Sequence, residues 1–262
     1  MLLHTYTQLG NSMRRTSVFM TFILCVPAAL TAQERTDVFA DPQNLKVLPS
    51  DISSADLGNT MKGFAMGLGV RCNDCHVGEP DAPLHTYDFA SDEKKMKQKA
   101  RVMLEMIAEI NSNQLARLDD VEPAPRVEVR CITCHRGQAK PKLIQDVLDE
   151  QLAEHGIDAA VAHYRKLREE FYGSQSYDFS EFTLPMYAQG LAESGQVAEA
   201  AVLAKLNTEN FPDSYYSFFI LAEASAANGD TEAARTSYER AMEISPRAKE
   251  FIESRLAALP KD

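Results

Sequence analysis

The stretch Arg71–Val77 reads RCNDCHV, and Arg130–Gly137 reads RCITCHRG, with fifty-nine positions from Cys72 to Cys131. The two copies of Cys-x-x-Cys-His hold four of the five cysteines of the 262-residue chain. Three chemistries use cysteines in this way. Two disulfides would suit an oxidising compartment, but a tight Cys-x-x-Cys bridge is more often redox-active than structural and needs no following histidine. A zinc site made of two knuckles would take four thiolates and leave His76 and His135 without a role. Covalent haem uses all six residues: two thiols add to the haem vinyl groups, and the next residue, His, falls beneath the iron. The haem reading is preferred, with Cys72, Cys75 and His76 forming one site and Cys131, Cys134 and His135 the other.

The N-terminus bears on compartment. Arg14 and Arg15 precede an apolar run from Val18 to Leu30, followed by LTAQE. A positive flank, a short apolar core and small residues are the pattern of a secretory signal peptide, here residues 1–32. The run is short for a membrane span, although an uncleaved anchor is the competing reading. Cys25 follows Leu24, a large residue where a lipoprotein signal wants a small one, so Cys25 reads as discarded with the signal. Net charge is −11. The expected location is the periplasm or the outer face of the inner membrane, with no sign of nucleic-acid binding.

Each iron needs a sixth ligand. Ahead of the first motif, SSADLGNTMKGFAMGLGV reads as a helix of about four turns capped by Ser53 or Ser54. Met61 lies eleven residues before Cys72 and Met66 six; Met61 is preferred, because a ligand close to the attachment turn has little chain with which to cross the ring. Ahead of the second motif, SDEKKMKQKARVMLEMIAEINSNQ reads as a helix capped by Ser91, with Asp92 and Glu93 complementing its dipole. Met96, Ala100, Met103, Ile107 and Ile110 form one apolar stripe. Met103, mid-stripe, is preferred over Met106 as the second thioether. His85, in the Pro-containing stretch DAPLHTYDF, reads as an exposed loop histidine.

MKGFAMGLGVRCNDCH, ARVMLEMIAEIN and VRCITCHRG resemble the cytochrome c subunit of bacterial photosynthetic reaction centres, over roughly residues 43–142. That family is usually described with four haems in two similar pairs, each built from helices that precede the attachment motifs. The resemblance implies haem ligation by the cysteines and histidines above, with Met61 and Met103 as axial thioethers. Two motifs make this chain resemble one half of the family's unit. The histidine that serves one family haem downstream of MLEMIAEIN has no counterpart in SNQLARLDD.

After Pro141 the text changes. Residues 33–142 hold 15 basic and 17 acidic residues, and residues 143–262 hold 10 and 21. Glycine and cysteine give way to alanine-rich helical sequence, so domains are expected at 33–142 and 143–262. Gly195, Ala200 and Pro212 recur, shifted by 34, as Gly229, Ala234 and Pro246, which resembles tetratricopeptide repeats. AEHGIDAAVAHYRKLREEF reads as a worn earlier copy, and AKEFIESRLAAL as a closing helix. The expected fold is mostly α: a multihaem c-type cytochrome domain followed by a tetratricopeptide-like helical-repeat domain.

The function expected of such a chain is single-electron transfer between redox protein partners, some of them possible membrane proteins, with two covalent haem c groups and no catalysis. His-plus-Met ligation raises reduction potential relative to two histidines. KKMKQKAR is a candidate docking patch for an acidic redox partner, and the repeats a candidate protein-binding surface. Two other classes compete: a dihaem peroxidase-like enzyme with one open iron position, and a repeat scaffold for a redox complex.

Overall fold

Ser53 starts the first helix: its hydroxyl oxygen accepts the Asp56 N–H at 3.1 Å. Helix α1 runs from Ser54 to Leu68 and ends on Gly69, left-handed at φ 64°, whose N–H bonds the Ala65 carbonyl. The computed structural model describes residues 37–118 and 127–260. The signal segment, Cys25 and the first residues of the expected cytochrome domain lie outside the described residues.

The two Cys-x-x-Cys segments fold alike. Helix α2 is Cys72–Cys75; a later one, α4, is Cys131–His135. In each, the residue before the second cysteine turns back to cap the arginine in front of the motif. Asp74 accepts the Arg71 N–H at 2.7 Å, and Thr133 accepts the Arg130 N–H at 3.0 Å. The ends differ: His76 sits past its helix in extended backbone, whereas His135 is the last residue of its own.

Between them lies α3, Lys95–Glu109, continued by a π turn over Ile110–Gln114 and a 3-10 turn over Leu115–Leu118. The sequence placed its start at Ser91, with Asp92 in the first turn. The helix instead begins at Lys95, with Lys94 at the cap position, and has no side-chain cap. Asp92 is drawn away by cations: Lys46 at 2.6 Å, Arg101 at 2.8 Å and Lys97 at 3.3 Å. Three positive partners hold a carboxylate more strongly than a helix terminus does.

The rest is a row of helices: α5 (Ile144–His155), α6 (Ile157–Phe171), α7 (Thr183–Glu193), α8 (Val197–Asn210), α9 (Tyr215–Ala227), α10 (Thr231–Ile244) and α11 (Lys249–Ala258). They form three hairpins and a closing helix. Each hairpin turns on a glycine of positive φ, Gly156 at 81°, Gly195 at 89° and Gly229 at 82°, a conformation that costs other residues a Cβ clash. Ala200, Ala204, Ala234 and Ala241 are fully buried; small side chains let these helices pack closely. One cluster of buried residues extends from Ile144 to Ala224 and a second, including Tyr238 and Ile252, closes the C-terminal end. Among the described residues there is no strand, only an isolated bridge between Val77 and Asp88, and no helix long and apolar enough to cross a membrane.

The two halves differ in their interiors. Among the described residues, all the buried hydrophobic side chains but Leu57 lie between Ile144 and Leu259. Helix α3, amphipathic over fifteen residues, buries none. The half that carries the Cys-x-x-Cys-His motifs has its apolar side chains arranged around open space.

Candidate cofactor site

That space is two clefts. The first, about 1180 Å³ with part of it open to solvent, is walled by the segment 38–48, α1, α2 and α3, and brings Cys72, Cys75 and His76 together with Met61. The second, about 770 Å³, brings Cys131, Cys134 and His135 together with Met103 and Met106. Phe64, Leu68 and Ala100 border both. Helix α3 therefore serves two sites: the stripe Met96, Ala100, Met103, Ile107 and Ile110 faces the second cleft, while Lys97, Arg101 and Leu104 face the first. Met66 is 76% exposed and borders neither cleft. His85 is exposed in a 3-10 turn, although its neighbour Leu84 reaches the first cleft.

The four motif cysteines are unbridged, and among the described residues no three His, Cys, Asp or Glu side chains converge as a metal site. Burial pushes the Cys75 and Cys131 thiols up from their ordinary range. Redox-active dithiols need the opposite shift.

The histidines have different surroundings. His76 is pushed down to about 4, by burial first and then by the Lys97 and Arg101 charges, so it is a neutral imidazole at neutral pH, the form an iron requires. Its ring lies edge-on to Phe89, 4.9 Å between centroids, and its Nδ1 is buried without a hydrogen-bond partner. His135 donates from Nδ1 to the Gln138 carbonyl at 2.8 Å.

Three contacts that sequence patterns do not announce position these groups. Asn111, in the π turn, clamps the chain ahead of the second motif: its amide donates to the Val129 carbonyl at 2.9 Å and its carbonyl accepts the Val129 N–H at 2.8 Å. Gly67 is buried in α1 where a Cβ would stand 3.1 Å from the Ile132 nitrogen and 3.2 Å from the Cys131 Cβ; its carbonyl accepts the Gly137 N–H at 2.9 Å. Around Asp92, Asn44 adds a bond at 2.9 Å, and Lys97 donates to the carbonyls of Phe89 and Ser91 at 2.9 and 2.7 Å. Lys97 and Arg101 are thus only 12% and 17% exposed, which removes both from the docking patch expected of KKMKQKAR. A lysine or arginine with a long apolar stem can turn inward in this way, and a string of cations does not reveal which ones will.

The residues fit haem. Each cleft is mostly apolar, carries one attachment motif at its wall and a thioether on a facing helix, and lies where a core would otherwise be. The neutral imidazole of His76 stands on the wall of the first cleft, in the protonation state that iron ligation needs.

The chain matches the photosynthetic reaction centre cytochrome C subunit family over residues 9–231, most of its length, and belongs to that family. Membership implies covalently bound haem c and electron transfer. A photosynthetic reaction center cytochrome c subunit from Roseobacter denitrificans (strain ATCC 33942 / OCh 114) is 28% identical over 128 residues, covering 43% of this chain and 32% of that protein. The chain thus matches about a third of the length of that relative. No solved structure matches. The family match continues through α5–α9 and into the start of α10, beyond the stretch 43–142 on which the resemblance was read.

Proposed function

We propose that the chain is an exported dihaem c-type cytochrome that carries single electrons between redox protein partners, in the periplasm or at the outer face of the inner membrane. The observation that carries this is the pair of motif-bearing clefts, divided by one shared wall, in a half with almost no core of its own. Bound haem c supplies one-electron exchange at iron. Cys72 and Cys75 would tether one group and Cys131 and Cys134 the other. His76 and His135 would hold the irons through imidazole, and Met61 and Met103 through thioether. Lys46, Lys97 and Arg101, three cations around the one carboxylate of Asp92, suit the carboxylates of a haem in the first cleft. Phe64, Leu68 and Ala100 keep water from the space between the sites. A site in which both an imidazole and a thioether of the chain would hold the iron suits a carrier, because a fixed set of ligands rearranges little when the electron arrives. The hairpins α5–α10, with their 34-residue recurrence, form a tetratricopeptide-like domain over 143–262 that offers a surface for a protein partner. The partner named by the family, a reaction centre, is one such redox partner.

The mass of the protein matured in a host with haem-attachment machinery tests the reading. It should exceed the peptide mass by two haems, one on each motif. A mass equal to the peptide, or to the peptide plus a metal ion, would overturn it.

A further inference from the structure

The turn Arg136–Gln138, just after the second motif, is gripped from two sides. On one side is the end of α1. Gly67 takes the Gly137 N–H, and Gly69 lies so near that a Cβ there would stand 2.0 Å from the Gly137 carbonyl oxygen. On the other side is Ser176, far along the chain in the loop between α6 and α7. Its hydroxyl donates to the Arg136 carbonyl at 2.8 Å, and its own carbonyl accepts the Gln138 Nε2 at 2.7 Å. Ser176 is itself held fast. The next residue, Tyr177, packs edge-on against Phe171 and Phe179, with centroids 5.5 and 6.0 Å away, and Phe179 is buried against Tyr164. Arg136 and Gly137 both have positive φ, 50° and 85°, so the turn is a shape that needs outside support. The same turn carries the Gln138 carbonyl, the acceptor for His135 Nδ1.

We infer that Ser176 is a positioning residue for the second haem site: it braces the Arg136–Gln138 turn so that the Gln138 carbonyl keeps its hydrogen bond to His135. The inference rests on the proposed ligation of iron by His135. An acceptor at the outer nitrogen of a ligating imidazole fixes its tautomer and ring orientation and makes it a stronger base. A stronger base favours the oxidised iron and lowers the potential. His76 has no such acceptor at Nδ1, so the first site is an internal control. The helical hairpins thereby take part in setting the chemistry of the second motif.

The experiment uses the full, haem-loaded chain. Haem content by mass is read first, since absence of haem from the second motif would overturn the proposed function itself. The two midpoint potentials are then measured in the unaltered protein, in Ser176→Ala and in Ser176→Thr; the wave that moves in His135→Met marks the second haem. The expected result is a raised second midpoint in Ser176→Ala, an unchanged first midpoint, and recovery in Ser176→Thr, which keeps the hydroxyl. Gln138→Met, which removes the Nε2 bond and leaves the carbonyl in the chain, should move the second midpoint the same way and serves if Ser176→Ala does not fold. An unmoved second midpoint, or equal movement of both, would overturn the inference.

Discussion

Met61, Met66 and Met103 are the same side chain in three surroundings, and they should behave differently when shortened. Met61 borders the cleft of Cys72 and Cys75, Met103 that of Cys131 and Cys134, and Met66 neither. Met61→Ala and Met103→Ala should each open one ferrous haem to carbon monoxide and lower its potential, while Met66→Ala leaves binding as in the parent; carbon monoxide difference spectra check this. Met106 also lines the second cleft, so Met106→Ala is the necessary companion to Met103→Ala. Gly69 makes a second prediction at this scale. A Cβ there meets a carbonyl oxygen at 2.0 Å in a left-handed backbone at φ 64°, so Gly69→Ala should cost about 2–3 kcal/mol or more, read in a urea melt of the holoprotein. The grouping of each motif with a candidate thioether was legible, from fixed steps for the cysteines and histidines, from reach for Met61 and from an apolar stripe for Met103. Asn111, Gly67 and Ser176 were not, because their roles depend on partners 18, 70 and 40 positions away, and nothing in local periodicity records a contact of that range.

At the scale of elements, α3 was the instructive case. Its apolar stripe was readable at a spacing of three and four residues. Its start was misplaced, because capping rules count only the first turn, and the competitors for Asp92 are Lys46 from a distant segment and Arg101 from further along the same helix. Its second face was missed altogether, since Lys97 and Arg101 read as part of an exposed docking patch. The network makes a pH prediction. The Lys46 bond holds the Asp92 carboxyl below its ordinary value of 3.8, with Asn44, Arg101 and Lys97 adding to it against some desolvation. A carboxylate with a depressed folded value contributes stability that is whole above the unfolded value and is lost as pH falls beneath it. Asp92→Asn should therefore lower stability at neutral pH and flatten the acid limb below about pH 4. Melting temperatures of the two proteins across pH 2–7 would test both halves of that expectation.

At the scale of the molecule, charge, cysteine content and period change near Pro141, and among the described residues the buried hydrophobic side chains other than Leu57 lie beyond that point. The bonds that tie the halves, through Gln138 and Ser176, were not visible. Nearly all buried hydrophobic side chains belong to residues 144–259, so the hairpins should survive without haem. A chain with all four attachment cysteines changed to serine should keep the helical circular dichroism of α5–α11 and a cooperative melt, while α1 and α3 become susceptible to proteolysis. Loss of the whole helical signal would show that the second half depends on the first for its fold.

One layer of side chains, Phe64, Leu68 and Ala100, stands between the two clefts. Apolar walls screen charge poorly. With a haem in each cleft, as proposed, an electron on one side of that layer would be felt as repulsion on the other, and the second reduction would be harder than the first by an amount that belongs to the pair rather than to either site. The same molecule would then hold one electron readily and two reluctantly, discharging the surplus first.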